Sequence, residues 1–375
     1  MPPRAAYIVS LKYSPGLRKL FEVVGTGLRE RGIPVSYIAS AKYVGLGILP
    51  EGFRPLTEAD SPAGILRETA SILANPGPAL RDLFPEEPGF VCFYNPHPLN
   101  LLLARHIRRR FPEALVAAYL HEPFMPDKAA FGPRRALLMR GVEALQAGLV
   151  RASHILLAPS GYAIQKIRVR FPWYSGPVRV APLLVADKFR PGHGERRFFS
   201  MVGMVNGATG HDDFFRYVNE SAKRGRSERF AVASASDLGR CASFLTPRAR
   251  ETVTFLNKPL ILDREIDDIL RASWAVFRLD KGLTQSAVLV DAFMHGVPVI
   301  ARDIPGLRQH VRDGRNGRIV PYGFTNADLA QAVDDVLTRQ DAMSAAARRD
   351  FETTWSPANF DRTYGWLIER LRSRT

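Results

Sequence analysis

Two Rossmann-like α/β domains facing a cleft are the fold this chain predicts, and three observations lead there. Short continuous apolar runs alternate with amphipathic stretches along most of the sequence. The alternation pauses once, at the Pro-, Gly- and charge-rich stretch DKFRPGHGERR (187–197), and then restarts. The length of 375 residues also exceeds what one hydrophobic core usually organises.

The elements follow in order. AAYIVSL (5–11) reads as a buried strand, LRKLFEVVGTGLRERG (17–32) as an amphipathic helix closed by Gly32, and VSYIAS (35–40) as a second strand. FVCFYN (90–95), a helix over 98–111 and LVAAYLH (115–121) continue the pattern. A helix over roughly 134–151, HILLAPS (154–160), a helix from Tyr162 and VRVAPLL (178–184) complete the first half. Beyond the linker come FFSMVGMV (198–205), a helix over about 212–223, RFAVASA (229–235) and TVTFLN (252–257). A helix over 263–272, WAVFRL (274–279), a helix at 285–294, VPVIA (297–301) and GRIVPY (317–322) follow. Helices at about 326–338 and 341–352 and a final amphipathic helix end the chain. Strands apolar at every position need cover on both faces, which argues for parallel sheets. The domains expected are 1–190, 191–354 and a C-terminal crossover helix within 355–375 that returns to the first domain.

Composition narrows the class. Apolar content of 46% and charged content of 24% are ordinary for a globular protein. No apolar run reaches the roughly 18–20 residues needed to cross a bilayer, and the N-terminus lacks a signal-peptide hydrophobic segment. Two cysteines, Cys92 and Cys241, make no disulfide framework and are expected to pack as small hydrophobes. A cytoplasmic location follows, with the inner face of the membrane as an extension of it.

The net charge of +15 is uneven: residues 1–190 hold 25 Lys+Arg against 14 Asp+Glu, and 191–375 hold 27 against 23. That excess suits an anionic partner such as a phospholipid surface, or else a plain solvated surface. Nucleic acid is not expected, because no recognition module or stacking platform accompanies the charge. No phosphate-binding P-loop and no Cys or His spacing for a metal is present, so no cofactor or metal is expected. Asp212 and Asp213 read as the start of a solvated helix.

The segment LTQSAVLVDAFMHGVPVIA (283–301) carries the most information. Ser286 is placed to cap a helix whose first-turn amides favour a phosphate, and Asp291 lies about one and a half turns further on. The longer string QSAVLVDAFMHGVPVIARDIPGLRQHVRDGRNGRIVP resembles the donor-binding signature of the GT-B fold retaining glycosyltransferases of group 1. YLHEPF (119–124), ASHILLAPSGYA (152–163), VRVAPLLVADKF and IDDILRASWAVF (266–277) resemble other segments of that family.

The resemblance implies a sugar transferred from a nucleotide-diphosphate-sugar donor to a glycan or lipid-linked acceptor. It assigns Asp291 to the ribose hydroxyls, and Gln285, Ser286 and Ala287 to the helix start facing the diphosphate. Gly16, in the loop after the first strand, and Gly203 take glycine positions of the phosphate-facing loops, and His121 stands near the transferred sugar. Three departures accompany it: Leu283 replaces the first acid of the two-acid motif, and Met204 and Thr209 replace the two cations that clamp the diphosphate. Arg278 or Lys281, which flank the loop before the helix, or Arg18 and Lys19 across the cleft, are the candidate substitutes. The same departures allow a second reading, a non-catalytic relative that binds a nucleotide, a glycan or a partner glycosyltransferase.

Overall fold

In the computed structural model, residues 4–46, 52–59, 61–75, 83–123, 133–191 and 195–373 are described. The apolar runs become parallel strands, buried along almost their whole length except at the sheet edges. In chain order the first set is β1 (Ala5–Ser10), β2 (Val35–Ser40), β3 (Phe53–Thr57), β4 (Pro88–Phe93), β5 (Leu115–Tyr119), β6 (Ile155–Ala158) and β7 (Val178–Val180). They form one seven-stranded sheet in the order β3-β2-β1-β4-β5-β6-β7, every pairing parallel.

Helices α1 (Pro15–Arg29), α2 (Pro62–Ala74), α3 (Pro98–Arg110), α4 (Pro133–Ala152) and α5 (Gly161–Arg170) connect them. Residues of α3, α4 and α5 share one core with Tyr7, Val9, Val91, Phe93, Val116 and Leu156, so these three helices cover the same face of the sheet. Strand β3 and helix α2 lie in the stretch 41–90, where the periodicity assigns no element. β3 is an edge strand only partly buried, and its sequence FRPLT lacks the continuous apolar signal of its neighbours.

The second set repeats the plan. Strands β8 (Phe198–Val202), β9 (Phe230–Ser234), β10 (Val253–Asn257), β11 (Ser273–Arg278), β12 (Val299–Arg302) and β13 (Gly317–Val320) form a parallel sheet ordered β10-β9-β8-β11-β12-β13. The helices in order are α6 (His211–Lys223), α7 (Gly239–Ala242), α8 (Pro247–Arg250), α9 (Asp263–Arg271), α10 (Ala287–Met294), α11 (Pro305–Arg308), α12 (Asn326–Thr338) and α13 (Gln340–Thr354). The last helix is α14 (Phe360–Arg372).

The chain divides into two units: Met1–Ala186 with Pro357–Thr375, and Asp187–Ser356. The C-terminal helix thus rejoins the first unit, as its crossover role predicts. Gly27 makes this possible on α1, because a Cβ there would sit 2.3 Å from the Phe360 ring. Arg31 adds a bidentate ion pair to Asp361 at 2.6 and 2.7 Å. Tyr364 is buried beside Tyr94, Tyr119 and Cys92, on the sheet face opposite α3–α5. Both cysteines are buried and form no disulfide.

Candidate functional site

In an open parallel sheet, ligands bind beyond the strand C-termini where the strand order reverses direction. In the second unit that point falls between β8 and β11. The loops there are held together tightly. Gly203, at the end of β8, has φ of 126°, a conformation that a side chain rarely adopts. Gly210 has φ of 75°, and a Cβ on it would lie 2.3 Å from the Leu279 carbonyl oxygen. The Lys281 amide donates to the Ala208 carbonyl at 2.8 Å. Gly306 allows the next approach, since a Cβ there would meet the Leu283 carbonyl at 2.0 Å. Gln309 Nε2 then donates to the Thr284 carbonyl at 2.9 Å. These contacts set the start of α10.

Ser286 is the N-cap of α10, its Oγ accepting from the Leu289 amide at 3.2 Å. The amides of Ala287 and Val288, one turn ahead of any intrahelical acceptor, are left for another partner. Gln285, only 4% exposed, has both Oε1 and Nε2 enclosed with no hydrogen-bond partner. An unmatched buried amide costs about 1–3 kcal/mol per polar group, so a ligand that matches it gains that much selectivity. Asp291 is buried on the same helix.

Arg278 and Lys281 differ in availability. Arg278 is buried, donates to the Val202 carbonyl at 3.0 Å and pairs with Asp280 at 2.9 Å. Burial raises the Asp280 carboxyl above the usual range, and Arg278 pulls it part of the way back. Arg278 is therefore committed inside the protein, which leaves Lys281 as the exposed cation of that loop. Met204, where the resemblance places a cation, is 69% exposed.

Asp213 departs from the expected solvated helix start: it is buried and paired with Arg302 and Arg216. Arg216 is its neighbour at i+3 on the same helix, whereas Arg302 comes from β12, which the local pattern does not link to it.

His211 was not legible as a site residue. Thr209 Oγ1 accepts from the Asn206 amide at 3.1 Å and donates to the Asn206 carbonyl at 2.9 Å. His211 Nδ1, 2.9 Å from the same oxygen, must then be the donor. That leaves buried Nε2 as an unpartnered acceptor. Burial, helped by Arg278, lowers this imidazole to about 4, so it is neutral at pH 7.

In the first unit the order reverses between β1 and β4. Gly16 does not lie in the loop after β1 but in the first turn of α1, because Pro15, at the helix start, has the fixed φ that suits that position. His121 follows β5; its Nδ1 is enclosed and unpartnered, and desolvation lowers it to about 4. His97, which the sequence reading passed over, lies beyond the end of β4 and caps α3, its Nδ1 accepting from the Leu99 amide at 3.2 Å. Its Nε2 therefore carries the proton and, at 2% residue exposure, has no acceptor. Asn100 beside it donates to the Asn95 carbonyl and leaves its Oδ1 unmatched. Among the described residues, no group of three or more His, Cys, Asp or Glu side chains is arranged to hold a metal, and no helix is long and apolar enough to cross a membrane.

Comparison with known proteins agrees with this geometry. Residues 196–339 match the model of the family described as glycosyl transferases group 1. Solved structures share the whole architecture at low identity. Sucrose-phosphate synthase from Thermosynechococcus elongatus aligns over 99% of this chain and 100% of its own, with TM-score 0.75 and 13% identity. HepE of Anabaena, in complex with UDP and glucose, aligns over 98% and 99%, with TM-score 0.67 and 14% identity. TarM aligns over 97% and 98%, with TM-score 0.69 and 10% identity. The two sheets thus have the GT-B architecture of these structures, and residues 196–339 are similar to group 1 glycosyl transferases. A 62-residue stretch is 45% identical to a D-inositol 3-phosphate glycosyltransferase from Geodermatophilus obscurus. That match spans 16% of this chain and 14% of the relative.

Proposed function

We propose that this protein transfers a sugar from a nucleotide-diphosphate-sugar donor to a hydroxyl of a glycan or lipid-linked acceptor, with retention of anomeric configuration. The observation that carries the reading is the start of α10. There a capped helix N-terminus, an unmatched buried amide and a buried carboxylate occupy the order-reversal point of a group 1 glycosyltransferase domain. HepE, of the same fold, is recorded with UDP and UDP-glucose.

In this reading Asp291 accepts from the ribose hydroxyls, and the Ala287 and Val288 amides receive the diphosphate with the helix dipole behind them. Lys281 supplies the mobile positive charge that a leaving diphosphate needs, in place of the clamp lost at Met204 and Thr209. Gln285 and the Nε2 acceptor of His211 are free to take donor hydroxyls. The acceptor belongs to the first unit, where neutral His121 and the His97 Nε2 donor offer hydrogen bonds without charge. In the retaining scheme the donor's own phosphate oxygen takes the acceptor proton, so no protein base is assigned and no metal is invoked. The basic first unit suits an anionic membrane as partner, on the cytoplasmic side.

A second reading, a non-catalytic binder of the same nucleotide, is favoured by one observation: Arg278 is consumed by Asp280 while Met204 projects where a cation is expected. A thermal-shift screen of UDP, GDP, ADP and their sugars, followed by donor turnover, separates the two. A nucleotide diphosphate that stabilises the protein and whose sugar is turned over supports transfer. Stabilisation with no turnover of any donor supports the binder. No stabilisation by any of them, in protein with native unfolding, rules out both.

A further inference from the structure

The helices of a parallel sheet run opposite to its strands, so their last turns gather at the strand N-termini, away from the ligand end. At that remote end of the first unit α3 presents Arg108, Arg109 and Arg110, α4 presents Arg151 and α5 presents Arg168, all exposed. Arg108 reaches across to the Ala152 carbonyl, tying the last turns of α3 and α4 together. None of the five is joined to a carboxylate among the described residues. Arg170, beside them, is paired with Glu143, and Glu113 is the acid of the neighbouring turn.

Apolar groups accompany the charge. Trp173 is 43% exposed with the Arg151 guanidinium 4.4 Å from its ring centre, and Val169 is 75% exposed. Cations at helix C-termini are ordinary on electrostatic grounds. A tryptophan and a valine left in water among them are not explained that way.

The same end also holds a cavity of 690 Å³. Its floor is the start of β5 and β6 and Pro177, from the loop that also carries Trp173, and its wall is the last turn of α14. Arg179, Arg370, His154 and Trp366 line it, with Glu369 as the acid. Arg179 stacks 4.8 Å over the Trp366 ring, and neither arginine is paired with a carboxylate among the described residues. A guanidinium fork held over an aromatic face is suited to a phosphate oxygen.

We infer that the strand-N-terminal end of the first unit is a membrane-docking surface, in which the exposed arginines and Trp173 meet an anionic bilayer and the cavity receives a lipid headgroup phosphate. The surface is a tether and not the acceptor site: parallel strands of five residues put it about 15 Å or more from the strand C-termini. This deepens the membrane part of the functional reading and is independent of the transfer reaction. Tryptophan at the polar–apolar boundary and unpaired arginine favour a bilayer over nucleic acid, which would need a groove or a stacking platform.

The test is co-sedimentation of the full chain with phosphatidylcholine vesicles, with and without phosphatidylglycerol. Wild type is expected to partition onto the anionic vesicles and to be released by moderate salt. Each basic residue near the surface contributes about a fivefold factor. The Arg109→Glu/Arg110→Glu/Arg168→Glu and Arg179→Glu/Arg370→Glu variants should each lose at least about tenfold in partitioning. Their unfolding temperature and their response to UDP should stay as in wild type, which keeps this result separate from the donor reading. A control reversing three exposed arginines of the second unit, Arg250→Glu/Arg264→Glu/Arg349→Glu, should keep its binding. Equal partitioning onto neutral and anionic vesicles overturns the proposal, as does an equal loss in the control. Displacement from the vesicles by a DNA duplex at equal phosphate concentration also overturns it, in favour of nucleic acid.

Discussion

The ligand ends of the two units share a topology and differ in chemistry. Each lies where the strand order of a parallel sheet reverses. In the second unit the buried ionic groups are paired with one another, Arg278 with Asp280 and Arg302 with Asp213. What the proposed reading offers a ligand there is backbone amides, the Gln285 amide, the buried Asp291 carboxylate and the exposed Lys281. In the first unit burial strips charge from His97 and His121 and leaves neutral donors and acceptors. The lesson is that the buried positive charge at the second unit's ligand end is spent on internal carboxylates, whereas the two buried histidines of the first unit carry none. In the proposed reading, dipoles and one exposed lysine would orient a charged group at one end and neutral imidazoles would orient hydroxyls at the other.

The comparison is most severely broken at Arg278. Arg278→Met leaves Asp280 buried and alone, and about 3–5 kcal/mol of stability should be lost at neutral pH, read by urea unfolding. Asp280 already has a raised pKa, and the variant raises it further. Its charged form is the penalised one, so the deficit should shrink as the pH falls and the carboxyl protonates. A deficit independent of pH would mean that packing and not charge holds that loop.

Next in size is Asp291→Asn, which keeps shape and removes the charge. Hydrogen bonds to a charged group are worth about 1.5–3 kcal/mol, so donor affinity by calorimetry should fall roughly 10- to 100-fold with little change in unfolding temperature. Unchanged affinity would detach the second unit's helix from the nucleotide.

The pH response sharpens the contrast from the other side. His97 in the first unit and His310 in the second are both held near 4 by burial, against an ordinary value near 6.5. Their contribution is fully present above pH 6.5 and is lost as the pH falls from there toward 4, because only the unfolded chain takes up the protons. A tenfold difference in proton affinity corresponds to about 1.4 kcal/mol. His97→Asn should flatten the decline of stability across that window, and an unaltered slope would show that His97 is protonated in the folded protein.

The smallest effect is expected at Lys281→Met. Its side chain is exposed, so stability should not change, while turnover of the donor should drop about tenfold and donor affinity less. An equal drop in affinity and turnover would mean uniform binding, not leaving-group stabilisation.

Much of the fold could be read along the chain. Tyr7, Ile8 and Val9, or Val91, Cys92 and Phe93, declare buried strands by themselves, because a strand apolar at every position has to be covered twice. Ser286 as a helix cap was equally legible, since capping is a contact over three residues. β3 was not, because FRPLT is a half-exposed edge strand whose partner, not its composition, makes it a strand. His211 and His97 were missed for a similar reason: a lone histidine carries no pattern. Its tautomer follows only from Thr209 and Asn206 in one case and from the Leu99 amide in the other. Asp213, read as solvated, was misjudged because Arg302 comes from a strand 89 residues away.

The amino-acid sequence by itself therefore determined the parallel α/β plan, the two sheets and the helix start at Ser286, since those depend on apolar periodicity and on contacts within a turn. Tertiary structure alone decided which charges are spent and which are free. Whether Arg278, Lys281 or Arg179 faces a ligand depends on desolvation and on partners brought together by the sheets, and neither has a local signature.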